Sequence, residues 1–214
     1  MQPLGAIVHD ENPYADQAQR EHALRLGMWV FLGSETLLFA GLFGLYAGYR
    51  ARYPEQFALA GMHNEEWIGS VNTFVLIVSS FFAAWAIHLV RGDRPRAAMW
   101  SLGAVILLGL TFLGLKSVEY SHHLAEGIAP ASYYRYAELP ERGARMFFTL
   151  YYFMTGLHAL HVIAGLTVMV WLITRLRRGK ATAEHHVELE MGGLYWHLVD
   201  IVWIFLWPLL YLST

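Results

Sequence analysis

The chain has 214 residues, 56% of them hydrophobic and only 15% charged, with a formal net charge of −2. That balance excludes the basic surface a nucleic-acid binder needs, so no nucleic-acid partner is expected. The absence of cysteine excludes disulfides, thiolate-bound zinc and cysteine-held iron–sulfur clusters.

Residues 1–24 are a polar N-terminal segment without the basic start and apolar core of a signal peptide, so no cleavage is expected. From residue 25 to 214 the chain reads as one transmembrane domain. Five runs, about 25–49, 67–90, 97–120, 145–174 and 193–212, are long enough to cross a bilayer. A hydrocarbon core of about 30 Å takes roughly 20 helical residues. The runs are continuous rather than alternating, which favours helices over barrel strands. The fold class is therefore an all-α membrane protein, a bundle of five transmembrane helices. Twelve Phe, twelve Tyr and eight Trp suit such a bundle's lipid-facing surface and interfacial belts.

Short polar connectors punctuate the runs. Arg91-Gly92-Asp93-Arg94-Pro95-Arg96 is a tight turn in which Pro95 is placed to open the next helix. The connectors at 50–66 and 121–144 are longer. With five spans, the N-terminus shares a side with the basic turns at 91–96 and 175–180, which together with Arg20 and Arg25 hold nine positive residues. The opposite side holds five: Arg50, Arg52, Arg135, Arg142 and Arg145. The excess places the N-terminus in the cytoplasm and the C-terminus outside.

Ionisable groups inside apolar runs are costly unless partnered, which makes each a candidate site. Glu35 falls ten residues into the first span, about 15 Å along it. It serves either as a hydrogen-bonded link between helices, with Ser34 and Thr36 helping, or as a proton carrier. His158 and His161 stand three apart on the fourth span and share a helix face. Interhelical hydrogen bonding is the plainer reading. Metal or haem ligation would need further ligands from another segment, with His197 a distant candidate. His197 and Asp200, again three apart, suit a mutual hydrogen bond that orients the last helix or relays protons, with Tyr195 and Trp196 at the interface. Lys116 and Glu119 suit a compensated ion pair near the external surface. Asn72, Thr73, Ser79, Ser80, Gly103, Gly109 and Gly114 suit close helix packing. Phe147, Phe148, Tyr151 and Tyr152 read as a packing or lipid-contact stripe. Arg175, Arg177 and Arg178, with His185 and His186, read as an exposed loop whose arginines anchor the boundary or meet lipid phosphates.

In this order the residues resemble subunit III of the haem-copper respiratory oxidases, the cytochrome c oxidase family. Trp29, Phe31, Ser34 and Glu35 are similar to its W-x-F-x-x-S-E element, and Asn72, Thr73, Leu76 and Ser79 to N-T-x-x-L-x-x-S. Glu119-Tyr120 resembles its E-Y. Thr155, Gly156, His158, His161 and Val162 resemble T-G-x-H-x-x-H-V, and Tyr195, Trp196, His197, Val199, Asp200 and Trp203 resemble Y-W-H-x-V-D-x-x-W. The resemblance implies a non-catalytic subunit of a bacterial inner-membrane oxidase that reduces oxygen to water. Such a subunit packs on subunit I beside subunit II and small subunits, holds phospholipid and supports proton uptake. Haem and copper are then expected in partner subunits, with none in this chain, and electrons arrive from cytochrome c or quinol through those partners. Glu35, Glu119, His158, His161, His197 and Asp200 become its buried polar or proton-related groups. Two departures stand out. The family's seven-span form has two further helices, which wall its lipid cleft, and Lys116 stands where glutamine is common. A subunit accompanying nitric oxide reductases and a di-haem membrane cytochrome are the alternative readings.

Overall fold

A computed structural model describes residues 17–136, 139, 142–179, 182 and 186–212. They form six α-helices: α1 (Gln17–Arg52), α2 (Pro54–Gly61), α3 (Glu66–Arg91), α4 (Pro95–Ala125), α5 (Arg142–Arg177) and α6 (Val187–Tyr211). A single 3₁₀ turn, Ala131–Tyr133, precedes α5. Five of the helices are long and apolar enough to cross a membrane. These are the expected five spans.

The boundaries differ from expectation in one consistent direction. Each observed helix except α6 runs past both ends of its apolar run, because polar residues at a membrane boundary continue a helix as readily as apolar ones. α1 and α5 have 36 residues each, so each is about 54 Å long, well beyond the hydrocarbon thickness. α1 reaches back to Gln17, into the segment read as a polar tail. Helix α6 begins six residues early, at Val187, and ends at Tyr211. The connector at 50–66 contains the unexpected α2, opened by Pro54 at its first turn. Pro95 opens α4 as expected. Pro140 and His185 lie outside the described residues.

Helices α3 to α6 form an antiparallel core, with α3 against α4 and α6, and α5 against α4 and α6. α1 lies across α5 and α6 at the edge, while α2 packs on α5. Small residues set the closest approaches. A Cβ on Gly165 would stand 2.7 Å from the ring of Trp196, and one on Gly109 would stand 2.7 Å from Leu166 and 3.0 Å from that same ring. The Trp196 indole thus occupies a space left open by two facing helices. Gly103 and Gly114 have nothing within 4 Å, so they do not serve the close packing expected of them. Trp196 is fully buried and Tyr195 nearly so, both turned into the bundle.

Hydroxyl groups on α3 satisfy the indoles that this packing buries. Ser79 accepts the Trp196 N–H at 3.0 Å, and Thr73 accepts that of Trp203 at 3.0 Å. Each hydroxyl also donates to a carbonyl of its own helix, Leu76 and Gly69 respectively. At the far end of α6, Tyr46 and Asn64 donate to the carbonyls of Leu209 and Leu210, each at 2.8 Å. Those carbonyls lie in the last turn, where intrahelical donors run out.

Candidate functional site

Glu35 stands halfway along α1, and its carboxylate meets His161 of α5 at 2.8 Å (Oε2 to Nε2). The other ring nitrogen, Nδ1, lies 2.8 Å from the carbonyl oxygen of Leu157. A carbonyl can only accept, so Nδ1 carries a proton. The contact between Nε2 and Oε2 then contains one proton, held by the imidazole as an ion pair or by the carboxyl group as a neutral pair. Either way the couple carries no net charge, which is what a membrane interior tolerates. Tyr195 donates to the His161 carbonyl at 3.1 Å, adding α6 to the junction. Ser34 and Thr36 give no help to Glu35: their hydroxyls bond back to Phe31 and Leu32 on α1.

His158 departs from its expected role. It does not share a partner with His161. It is fully buried between α4 and α6, with ring centroids 5.5 Å from Phe112 and 5.2 Å from Trp203. Neither ring nitrogen meets a hydrogen-bond partner among the described residues. Residues three apart are offset by about 60° around a helix, enough to give the two rings different neighbours where three helices meet. Among the described residues, no three His, Cys, Asp or Glu side chains converge as a metal's ligands would.

His197 and Asp200 do not bond to each other. His197 Nδ1 instead shares a short hydrogen bond with the Ser80 hydroxyl of α3, while the buried Asp200 carboxyl has no hydrogen-bond partner among the described residues. Because α6 starts at Val187, His197 is ten residues in, about 15 Å, rather than close to the helix end. Ser80 was expected only to aid packing; it joins His197 to the neighbouring helix. Asn72 is fully buried, with no hydrogen bond to its amide among the described residues.

The most complete polar cluster surrounds Lys116. Both Lys116 and Glu119 are buried, not placed at a surface. The ammonium donates to Glu119 Oε2 at 2.9 Å, to the Tyr151 hydroxyl at 2.8 Å and to the Tyr211 hydroxyl at 2.9 Å. Its three donors are all used. Tyr151 and Tyr211 in turn donate to Glu119 Oε1, at 2.7 and 2.6 Å. Lys116 also sits 4.8–5.6 Å from the ring centres of Tyr120, Tyr151, Trp203 and Tyr211. The arrangement closes a circuit across α4, α5 and α6. Tyr151 was assigned to packing and Tyr211 was not singled out. The i,i+3 spacing of Lys116 and Glu119 showed the pair, but nothing in one sequence shows which distant hydroxyls complete it.

At the N-terminal end of the bundle, Glu188 and Glu190 in the first turn of α6 gather four arginines. Arg175 grips Glu188 with two bonds of 2.7 and 2.8 Å, and Arg20 approaches it at 3.4 Å. Arg25 and Arg91 both pair with Glu190, as does His186 at 3.1 Å. Arg175 therefore belongs to α5 and ties helices together, which corrects its assignment to a loop. Arg177, in the last turn of α5, and Arg178 beyond it are exposed. Beside this cluster runs an apolar groove of about 360 Å³ between α1, α5 and α6, lined by Met28, Phe31, Val168, Trp171 and Tyr195 among others.

Comparison with known proteins agrees with this architecture. The family model for cytochrome c oxidase subunit III matches residues 14–214. Cytochrome c oxidase subunit 3 of Thermostichus vulcanus is 34% identical over 190 residues, 88% of this chain and 87% of its own. The protein of the same name from Alkalihalophilus pseudofirmus is 30% identical, over 87% of this chain and 85% of its own. A probable quinol oxidase subunit 3 of Staphylococcus aureus is 26% identical over 95% of this chain and 96% of its own. Five spanning helices and a family match over nearly the whole length lead to one assignment: the chain belongs to the cytochrome c oxidase subunit III family.

Proposed function

We propose that the chain is the non-catalytic third subunit of a bacterial inner-membrane terminal oxidase. The complex reduces oxygen to water with electrons from cytochrome c or quinol, delivered through other subunits. The N-terminus faces the cytoplasm. This subunit packs on subunit I, holds phospholipid and supports proton uptake. Haem and copper belong to its partners.

The observation that carries this reading is where the histidines go. His161 is engaged by Glu35, His197 by Ser80, and His158 by aromatic rings. Each is committed to a different neighbour, which suits a helix scaffold and not a shared ligand set. The groove between α1, α5 and α6 has the apolar lining that an acyl chain needs. The Glu35–His161 couple can pass its one proton between two atoms without net charge, a property suited to a subunit beside a proton path.

Affinity purification through a tag on this chain, with identification of the accompanying subunits and their metals, tests the reading. Haem and copper in a co-purifying subunit I support it. Haem bound by this chain alone, or a partner carrying non-haem iron in place of copper, overturns it. In the same complex, Glu35→Ala is expected to leave haem content intact while loosening the subunit or shortening sustained turnover.

A further inference from the structure

At the N-terminal end Arg20, Arg25, Arg91 and Arg175 each meet Glu188 or Glu190. At the opposite end Arg142 and Arg145 form no ion pair among the described residues. They stand three apart, hence on one side, in the first turns of α5. That turn contains no acidic residue. A helix N-terminus already carries partial positive charge, so two guanidinium groups there add repulsion that a bound anion would relieve.

The same arginines line a cavity of about 380 Å³ with Tyr49, Tyr53, Ala131, Met146 and Thr149. Its walls are held in place. A Cβ on Gly143 would stand 2.7 Å from Gln56 and 3.0 Å from Tyr53, so α5 is pressed against the start of α2. The Ala131 N–H donates to Thr149 Oγ1 at 3.0 Å, and that hydroxyl donates to the Arg145 carbonyl at 2.7 Å. The cavity is thus bounded by three separate segments of chain.

Depth identifies the occupant. The apolar run of α5 begins at Met146, directly after Arg145, so the guanidinium groups lie where hydrocarbon gives way to headgroups. One turn further into the span, Leu45 on α1 and Phe153 on α5 are exposed and apolar. A soluble anion would use only the arginines; a lipid uses the whole surface. We propose that Arg142 and Arg145 hold the phosphate diester of an anionic phospholipid, with Tyr49 and Tyr53 beside its glycerol and its acyl chains along α1 and α5. This site lies at the opposite end of the bundle from the apolar groove, and it does not depend on the oxidase reading.

The test uses the protein with whatever subunits accompany it, placed in phosphatidylcholine nanodiscs containing a minority of spin-labelled phosphatidylglycerol. The expected result is an immobilised lipid population that R142Q/R145Q binds about 30-fold more weakly, from roughly fivefold for each basic residue at an anionic surface. R96Q, in the exposed first turn of α4 at the other end of the bundle, should change nothing. R142K/R145K keeps the charge but not the fork geometry and should fall between, which preserves the test if the glutamine pair does not fold. Equal immobilisation in wild type and R142Q/R145Q overturns the proposal. So does displacement of the label by inorganic phosphate alone, or a cross-link placing an acidic segment of another subunit in the cavity.

Discussion

Trp196 and Gly165 lie in direct contact across the α5–α6 interface: a methyl group at position 165 would stand 2.7 Å from the indole ring. The ring is rigid and fully buried, so it cannot yield. Gly165→Ala should therefore destabilise the bundle by about 1–3 kcal/mol, the usual cost of overpacking. Gly109→Ala should cost less, because its nearest atom is the flexible end of Leu166. Thermal unfolding in detergent, followed by tryptophan fluorescence, ranks the two. Equal midpoints for both variants and wild type would remove the packing argument.

Ser79→Ala tests the other side of Trp196. It removes the acceptor of a buried indole N–H, at a cost of about 1–3 kcal/mol. Ser79→Thr keeps the hydroxyl and should recover most of the loss if the added methyl fits. The same unfolding measurement reads both.

Glu119→Gln should be among the most damaging single changes. It leaves the Lys116 ammonium inside the bundle without its counter-charge, a situation that typically costs about 3–5 kcal/mol. Lys116→Gln combined with Glu119→Gln removes both charges and should be less damaging than Glu119→Gln alone. A double-mutant cycle on thermal stability measures the coupling. Strict additivity would show that the two groups do not act as a unit.

Glu35→Gln separates bridging from proton transfer. The amide can donate to Nε2 of a neutral His161, so the link between α1 and α5 persists without an exchangeable proton. Retention of the subunit in the purified complex should be near wild type for Glu35→Gln and reduced for Glu35→Ala. If turnover is sustained as long in Glu35→Gln as in wild type, the proton in this pair serves structure alone.

The ion cluster around Glu188 and Glu190 predicts a salt effect. Its arginines are partly exposed, and mobile ions screen such pairs. Raising ionic strength should lower the unfolding midpoint of wild type more than that of Glu188→Gln/Glu190→Gln. A midpoint that falls equally in both proteins would show that the cluster adds nothing to stability.

Much of this architecture was legible in the chain. Apolar run length reports spans directly, because hydrocarbon thickness is fixed, and Pro54 and Pro95 behave as helix openers should. Glu35, Lys116, Glu119 and Asp200 announced themselves as ionisable groups in apolar surroundings. Their partners did not. Spacing of three positions suggested that His158 works with His161 and His197 with Asp200, yet Glu35 and Ser80 on other helices supply the bonds. Local spacing describes one helix, whereas each bond depends on how two helices are rotated against each other. Tyr211 shows the limit most clearly: a tyrosine near a helix end is ordinary until the fold carries it to Lys116.

The Glu35–His161 couple has a consequence for biosynthesis. Its members are 126 positions apart in the chain. At roughly 5–20 residues per second, about 6–25 s of translation separate them. α1 leaves the ribosome first, but the helices it leans on emerge last. During that interval its midpoint carboxyl waits in lipid with no imidazole to meet it. The earlier helix can thus be seated only once the later one has arrived.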